Sequence, residues 1–190
     1  MSGLKWWGIL WRSSSTTPPD TNLITLEKIT ITNMGTGEFS RTGDIVQLRL
    51  LGTKPVPKDS KIHDQAIRGM ESSLWASDEQ LDRVRYWEAT GHNRPNLPIV
   101  TIEADPNRPK VNSDGELQGY MWGTIDNNST NYFYSSVAIA DGYSYFYMDP
   151  DEKPLKYAQL LYNTEEKTAK DHSIIFAADM LQSRDGKSRH

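Results

Sequence analysis

Between Leu117 and Met148 the chain reads LQGYMWGTI, NNSTN, YFYSSVAIA, DG and YSYFYM, and this aromatic run constrains the fold more than any other stretch. Alternation with period two is the mark of a pleated strand. Asp141-Gly142 between two such runs predicts a two-residue type I′ hairpin, because both central residues take positive φ. Before the turn, Phe133, Ser135, Val137 and Ile139 share one face, and Tyr132, Tyr134, Ser136 and Ala138 share the other. After it, Tyr143, Tyr145 and Tyr147 alternate with Ser144, Phe146 and Met148. Neither face is polar. Tyrosine suits a half-buried pleat. The other reading makes Tyr132, Tyr134, Tyr143, Tyr145 and Tyr147 an exposed aromatic surface.

The rest of the chain supplies partners for that sheet. Ile24 and Leu26 sit in one phase of a strand from Leu23 to Thr32, and Ile29 and Ile31 in the other, which predicts a bulge near Glu27-Lys28. A strand after Gly43-Asp44 turns Val46, Leu48 and Leu50 inward and Gln47 and Arg49 outward. The prolines of TKPVPKDS end it. Asp59 or Ser60 caps a helix carrying Ile62, Ala66, Ile67, Met70 and Leu74. Ser77-Asp78-Glu79-Gln80 is a capping box for a second, with Leu81, Val84 and Trp87, and Gly91 fits its C-terminal stop. Ile99 to Ala104 returns to strand, and residues 105–116 read as a surface loop. Pro154 opens a helix through Tyr162, Glu165 to Asp171 is polar, and Ile174 to Leu181 fits either period. The expected class is α+β, with an antiparallel sheet of about five or more strands and flanking helices. The expected division is an arm and linker over 1–20, one domain over 21–182, and a tail over 183–190.

The first twelve residues, MSGLKWWGILWR, hold three of the chain's six tryptophans. Drawn as a helix, Leu4, Trp7 and Trp11 share a face with Leu10 beside them. SSSTTPPD follows as a flexible, then extended, linker. The arm therefore reads as a docking element, with Leu4, Trp6, Trp7, Leu10 and Trp11 meeting another subunit or a membrane surface.

Cysteine is absent, so thiolate and disulfide chemistry are excluded. His63, His92, His172 and His190 are too far apart in sequence for a local metal pair. Asp149, Asp151 and Glu152 lack calcium-loop spacing and read as a solvated turn. No nucleophile-elbow, phosphate-loop or dinucleotide pattern occurs. The expectation is no enzyme, no catalytic or metal residues and no cofactor. The net charge is −4, yet Lys5 and Arg12 make the start basic, and Arg184, Lys187 and Arg189 do the same for the end. Basic ends on an acidic body favour head-to-tail self-contact or attraction to anionic partners. The body shows no basic stripe, so direct sequence-specific nucleic-acid binding is not expected.

Met1 to Lys5, Pro18-Pro19, the strand Ile24 to Thr32 and the chain length together resemble the matrix proteins of rhabdoviruses. The family's Pro-Pro-x-Tyr motif is incomplete here, since Asp20 and Thr21 follow Pro19, and the family is basic where this chain is acidic. The resemblance covers the layout of about the first fifty residues. It implies a virion protein that bridges nucleocapsid and membrane in the host cytoplasm, and phage virion proteins share the same traits. The expected function is a non-enzymatic assembly protein of a virus particle. It would form a homo-oligomer, meet other virion proteins, and self-associate through its arm. The alternative is a carbohydrate-binding module whose aromatic face stacks on sugars, drawing also on Tyr120 and Trp122.

Overall fold

The computed structural model describes residues 5–10, 20–33, 38–74, 82–83, 86, 89–92, 99–124 and 131–171. Its strands are β1 (Lys5–Leu10), β2 (Leu23–Asn33), β3 (Glu38–Leu50), β4 (Thr53–Pro55), β5 (Ile99–Glu103), β6 (Leu117–Thr124), β7 (Asn131–Phe133) and β8 (Ser144–Phe146). Its helices are α1 (His63–Leu74), α2 (Tyr134–Ala140) and α3 (Ala158–Asp171), and Asp82, Arg83, Tyr86, Ala89 and Thr90 are also helical. The α+β class holds.

The main sheet runs β3-β2-β1-β5-β6-β7, and β3 also pairs with β6. That extra pairing closes five strands into a barrel and leaves β7 as an appendage on β6. The sheet is mixed, not purely antiparallel. Leu48, Leu50 and their neighbour Arg49 run parallel to Leu117–Gly119. A parallel pair needs a long crossover, and the chain between β3 and β6 supplies it with α1 and β5. A three-strand meander, a helix and two further strands that close parallel on the third form the Greek-key connectivity of the OB barrel.

The bulge falls where the side-chain phases predict it. Glu27 pairs with Ile45 and Ile29 with Arg41, so the extra residues lie in β3. Glu27 is buried at the kink and accepts hydrogen bonds from Arg41 and from the Gly43 amide, 3.3 Å away. Gly43 takes φ +74, a conformation open to glycine.

Ile24, Leu26, Leu48, Leu50, Val100, Ile102 and Met121 fill the barrel, with Met70 of α1 and Tyr134 packed on the same cluster. The helical spacing of Ala66, Ile67 and Met70 buries all three. A second core of Leu51, Tyr120, Phe133, Ile139, Leu155 and Leu161 joins α2 and α3 to the outside of the barrel.

Three expectations are corrected. The segment Lys5–Leu10 is a strand, not a helical arm. It pairs antiparallel with β2 on one side and with β5 on the other. The pattern KWWGIL fits both periods, and two strand edges waiting for hydrogen bonds decide between them. Leu4, Trp11 and the linker 13–19 lie outside the described residues, as do Ser77–Gln80 and Ile174–Leu181.

Tyr134 to Ala140 is helix α2, not the first strand of a hairpin. Tyr134, Ser135, Ala138 and Ile139 are its buried residues, which is a helical face. Asp141-Gly142 ends this helix. The Gly142 amide donates to Ile139 O at 3.1 Å and the Tyr143 amide to Ala138 O at 2.8 Å, with Gly142 at φ +77. These are the two bonds of a Schellman stop. β8 pairs instead with β4, where Pro55 sits opposite Ser144 in a two-stranded edge. Finally, the last helix starts at Ala158 rather than Pro154 and runs past Tyr162 to Asp171.

Candidate binding cleft at the barrel mouth

Leaving β3, the chain is pinned at once. The Leu50 amide donates to Asn22 O and the Leu51 amide to Gly119 O, both at 3.0 Å. Gly52 then turns with φ +74 directly beneath Leu161. A cleft of about 320 Å³ opens here, where the end of the β1–β2 connection, the β5–β6 loop and residues 147–155 converge. Asn22, Arg49, Arg108, Asn112, Gln118 and Tyr147 are among its lining residues.

Arg49 acts as a clamp. Its Nη2 and Nε donate to the Glu116 carboxylate at 2.7 and 2.9 Å. Its Nη1 donates to Asp20 at 2.9 Å and to Asn22 Oδ1 at 2.8 Å. One guanidinium thus ties both mouth loops to β3, in the forked geometry that arginine favours. Arg49 hydrogen bonding, helped by Asn112, holds the Glu116 carboxyl below its ordinary range, against the opposing effect of burial. Asn112 Oδ1 in turn accepts from the amides of Asp114 at 3.0 Å and Glu116 at 2.9 Å.

Arg108 is committed as well. It donates to the carbonyls of Asn107 at 3.0 Å and Lys153 at 2.7 Å and pairs with Glu152 at 2.8 Å. Behind the cleft, Asp105 accepts from the Tyr120 hydroxyl at 2.5 Å and from the Lys156 amide at 2.8 Å. The buried Glu103 carboxylate pairs with Lys156 and accepts from the Tyr157 hydroxyl at 3.2 Å. Burial first, then Asp105, pushes the Tyr120 hydroxyl far above its ordinary range. These buried acids have partners on several sides and fasten residues 154–157 to the barrel.

Tyr147 is different. It is 46% exposed at the cleft's lip. Its amide donates to Gly52 O at 3.1 Å. The exposed Lys54 places its Nζ 4.9 Å from the Tyr147 ring centroid and 5.9 Å from that of Tyr145. The cleft can therefore offer a tyrosine ring and neutral amides, with the Lys54 ammonium beside the ring at its lip.

The structure scatters the five candidate tyrosines. Tyr134 is buried, Tyr143 is half-buried against the same core, Tyr145 is half-buried, and Tyr147 is exposed. Tyr132 lies on β7. They make no common exposed row. Tyr120 is fully buried, and Trp122 stacks on Phe133 at 4.3 Å. Of the arm residues, Trp6, Trp7 and Leu10 lie in β1. The Asp149 carboxylate is used within its own turn, accepting from the Asp151 amide at 2.9 Å. Among the described residues no three His, Asp or Glu side chains are grouped to hold a metal, and no helix is long and apolar enough to cross a membrane. Arg49, Asn112, Gln118 and Lys54 carry no local sequence signal. Arg49, Asn112 and Gln118 meet only because the barrel closes, and Lys54 lies beside Tyr147 through the β4–β8 pair. No protein-family model matches this chain, and a search of curated proteins found no similar sequence.

Proposed function

We propose that this protein is a non-catalytic binding module that holds an extended single-stranded polynucleotide across the mouth of its barrel. One observation carries the reading. A closed OB-type barrel has a cleft between the end of the β1–β2 connection, at Asn22, and the β5–β6 loop. Barrels of this connectivity grip oligonucleotides and oligosaccharides through those two loops. Fold alone does not set function, so the chemistry of the cleft has to agree. An exposed tyrosine suits base stacking, which tolerates any sequence. Arg49 and Arg108 are neutralised by carboxylates and contribute little to phosphate binding. The salt dependence should therefore be shallow for a nucleic-acid binder. The test is fluorescence anisotropy with a labelled single-stranded 12-mer, with a duplex of equal length and a neutral glycan as competitors. The reading expects saturable binding that neither competitor displaces. Displacement by the glycan alone transfers the site to carbohydrate, and no binding at all removes the reading.

A second reading keeps the protein as a non-enzymatic assembly subunit of a virus particle. It draws on the connection from residue 11 to residue 22, which joins antiparallel neighbours that about two to five residues could join. In this reading the surplus chain, with Pro18-Pro19, meets a neighbouring subunit. Light scattering of the purified full chain decides it: a defined oligomer supports assembly, and a monomer at high concentration opposes it.

A further inference from the structure

We infer that the cleft seats one unstacked nucleotide, with its base on the Tyr147 ring and a phosphate of its strand on Lys54. The inference rests on the polynucleotide reading and narrows it to a single stacking position. Tyr147 is a large hydrophobic residue 46% exposed at the rim of a cleft of about 320 Å³. That volume lies at the small end of the range for small-molecule sites, enough for a nucleotide. Lys54 covers one face of the ring, 4.9 Å from its centroid, and makes no ion pair among the described residues. The part of the ring that stays exposed is left for a base. From across the ring, the Lys54 ammonium is placed to meet a phosphate of the strand that carries the stacked base. The neighbouring guanidiniums cannot take that role, because Arg49 is held by Asp20 and Glu116 and Arg108 by Glu152. The side-chain amide of Gln118 donates to Pro109 O at 3.0 Å. Its carbonyl oxygen is then the acceptor available to a base edge.

The ring is positioned from behind. β4 and β8 pair as Thr53 with Phe146 and Lys54 with Tyr145, so Lys54 is carried on β4 and Tyr147 directly follows β8, its amide donating to Gly52 O at 3.1 Å. Phe146 meets Tyr162 of α3 edge-on at 6.1 Å. The backbones that carry the ammonium and the ring are therefore held together without a ligand, which limits the ordering cost of binding.

The experiment measures the affinity of a labelled single-stranded 12-mer by anisotropy over a range of KCl, for the full chain and for Tyr147→Ala, Tyr147→Phe and Lys54→Gln. Circular dichroism melts accompany each variant to verify folding. Tyr147→Ala should weaken binding by roughly 5- to 100-fold, the loss of one stacked base, and Tyr147→Phe should restore most of it. Lys54→Gln should lower the slope of log affinity against log salt by about 0.7, one phosphate contact on a single strand. An oligonucleotide with abasic positions should erase the difference between Tyr147→Ala and the parent. If the parent binds and Tyr147→Ala binds equally well, this inference fails and the broader reading stands. If the parent does not bind, both fail. A loss in Tyr147→Ala that Tyr147→Phe does not recover means that the hydroxyl, not the ring, is the contact, and overturns the stacking geometry.

Discussion

Gly142 shows how one residue can be read for the wrong reason and still be essential. The Asp-Gly pair does mark a positive φ, but it stops a helix rather than turning a hairpin. Gly142→Val should destabilise the fold by about 1–3 kcal/mol, because a β-branched residue resists that conformation. An unchanged melting temperature would contradict it. Glu116 gives a pH-dependent case. Arg49 lowers its folded pKa from 4.5, so the stability it contributes is full above its unfolded value and is lost as pH falls through the folded one. Asp141 works in the opposite sense, since burial raises its carboxyl and acid relieves that strain on the fold. Glu116→Gln should therefore be less stable than the parent at pH 7, and its melting temperature should fall less between pH 5 and pH 3. Parallel pH profiles for the two proteins would count against the Arg49 clamp.

At the scale of elements, α1 and β1 carry the sharpest expectations. Gly69 lies mid-helix, where alanine is normally better by about 1 kcal/mol. Here the Tyr143 ring sits on the space a Cβ would take. Gly69→Ala should thus destabilise, and adding Tyr143→Ala should reverse the sign of the glycine substitution. A stabilised single variant would show that Tyr143 moves aside freely. β1 is held on both edges, by β2 and β5, so deletion of residues 1–12 should unfold the barrel. A truncated chain that keeps a cooperative melt would return the segment to the status of an arm. These elements also show what a sequence reveals. β3 and α1 were legible because each buries one face at one period, and β2 because its period of two holds on either side of one change of phase. Leu48 and Leu50 point in, Gln47 points out, and the change of phase at Glu27 marks a bulge. β1 and α2 were not legible, because KWWGIL and YSSVAIA satisfy both periods and only their neighbours choose between them.

For the whole molecule, closure is the decisive event. It joins Leu48–Leu50 to Leu117–Gly119 in parallel, a pairing no local pattern announces. It also gathers Asn22, Arg49, Asn112, Gln118 and Tyr147 around one cleft. Of the cleft residues, Tyr147 was visible in the sequence as one member of an aromatic series in which Tyr134 is buried and Tyr143 and Tyr145 are half-buried, and Asp149 and Glu152 only as a solvated turn. Arg49 could be placed as outward-facing, yet nothing foretold that two loops would supply its carboxylates. The central claim is that this mouth holds single-stranded polynucleotide. Amide chemical-shift mapping of the full chain with an unlabelled single-stranded 12-mer tests it most directly. The account predicts saturable shifts concentrated at residues 20–22, 49–54, 108–118 and 147–152, with little change along α1. Shifts centred elsewhere on the surface, or none at saturating oligonucleotide, would contradict it.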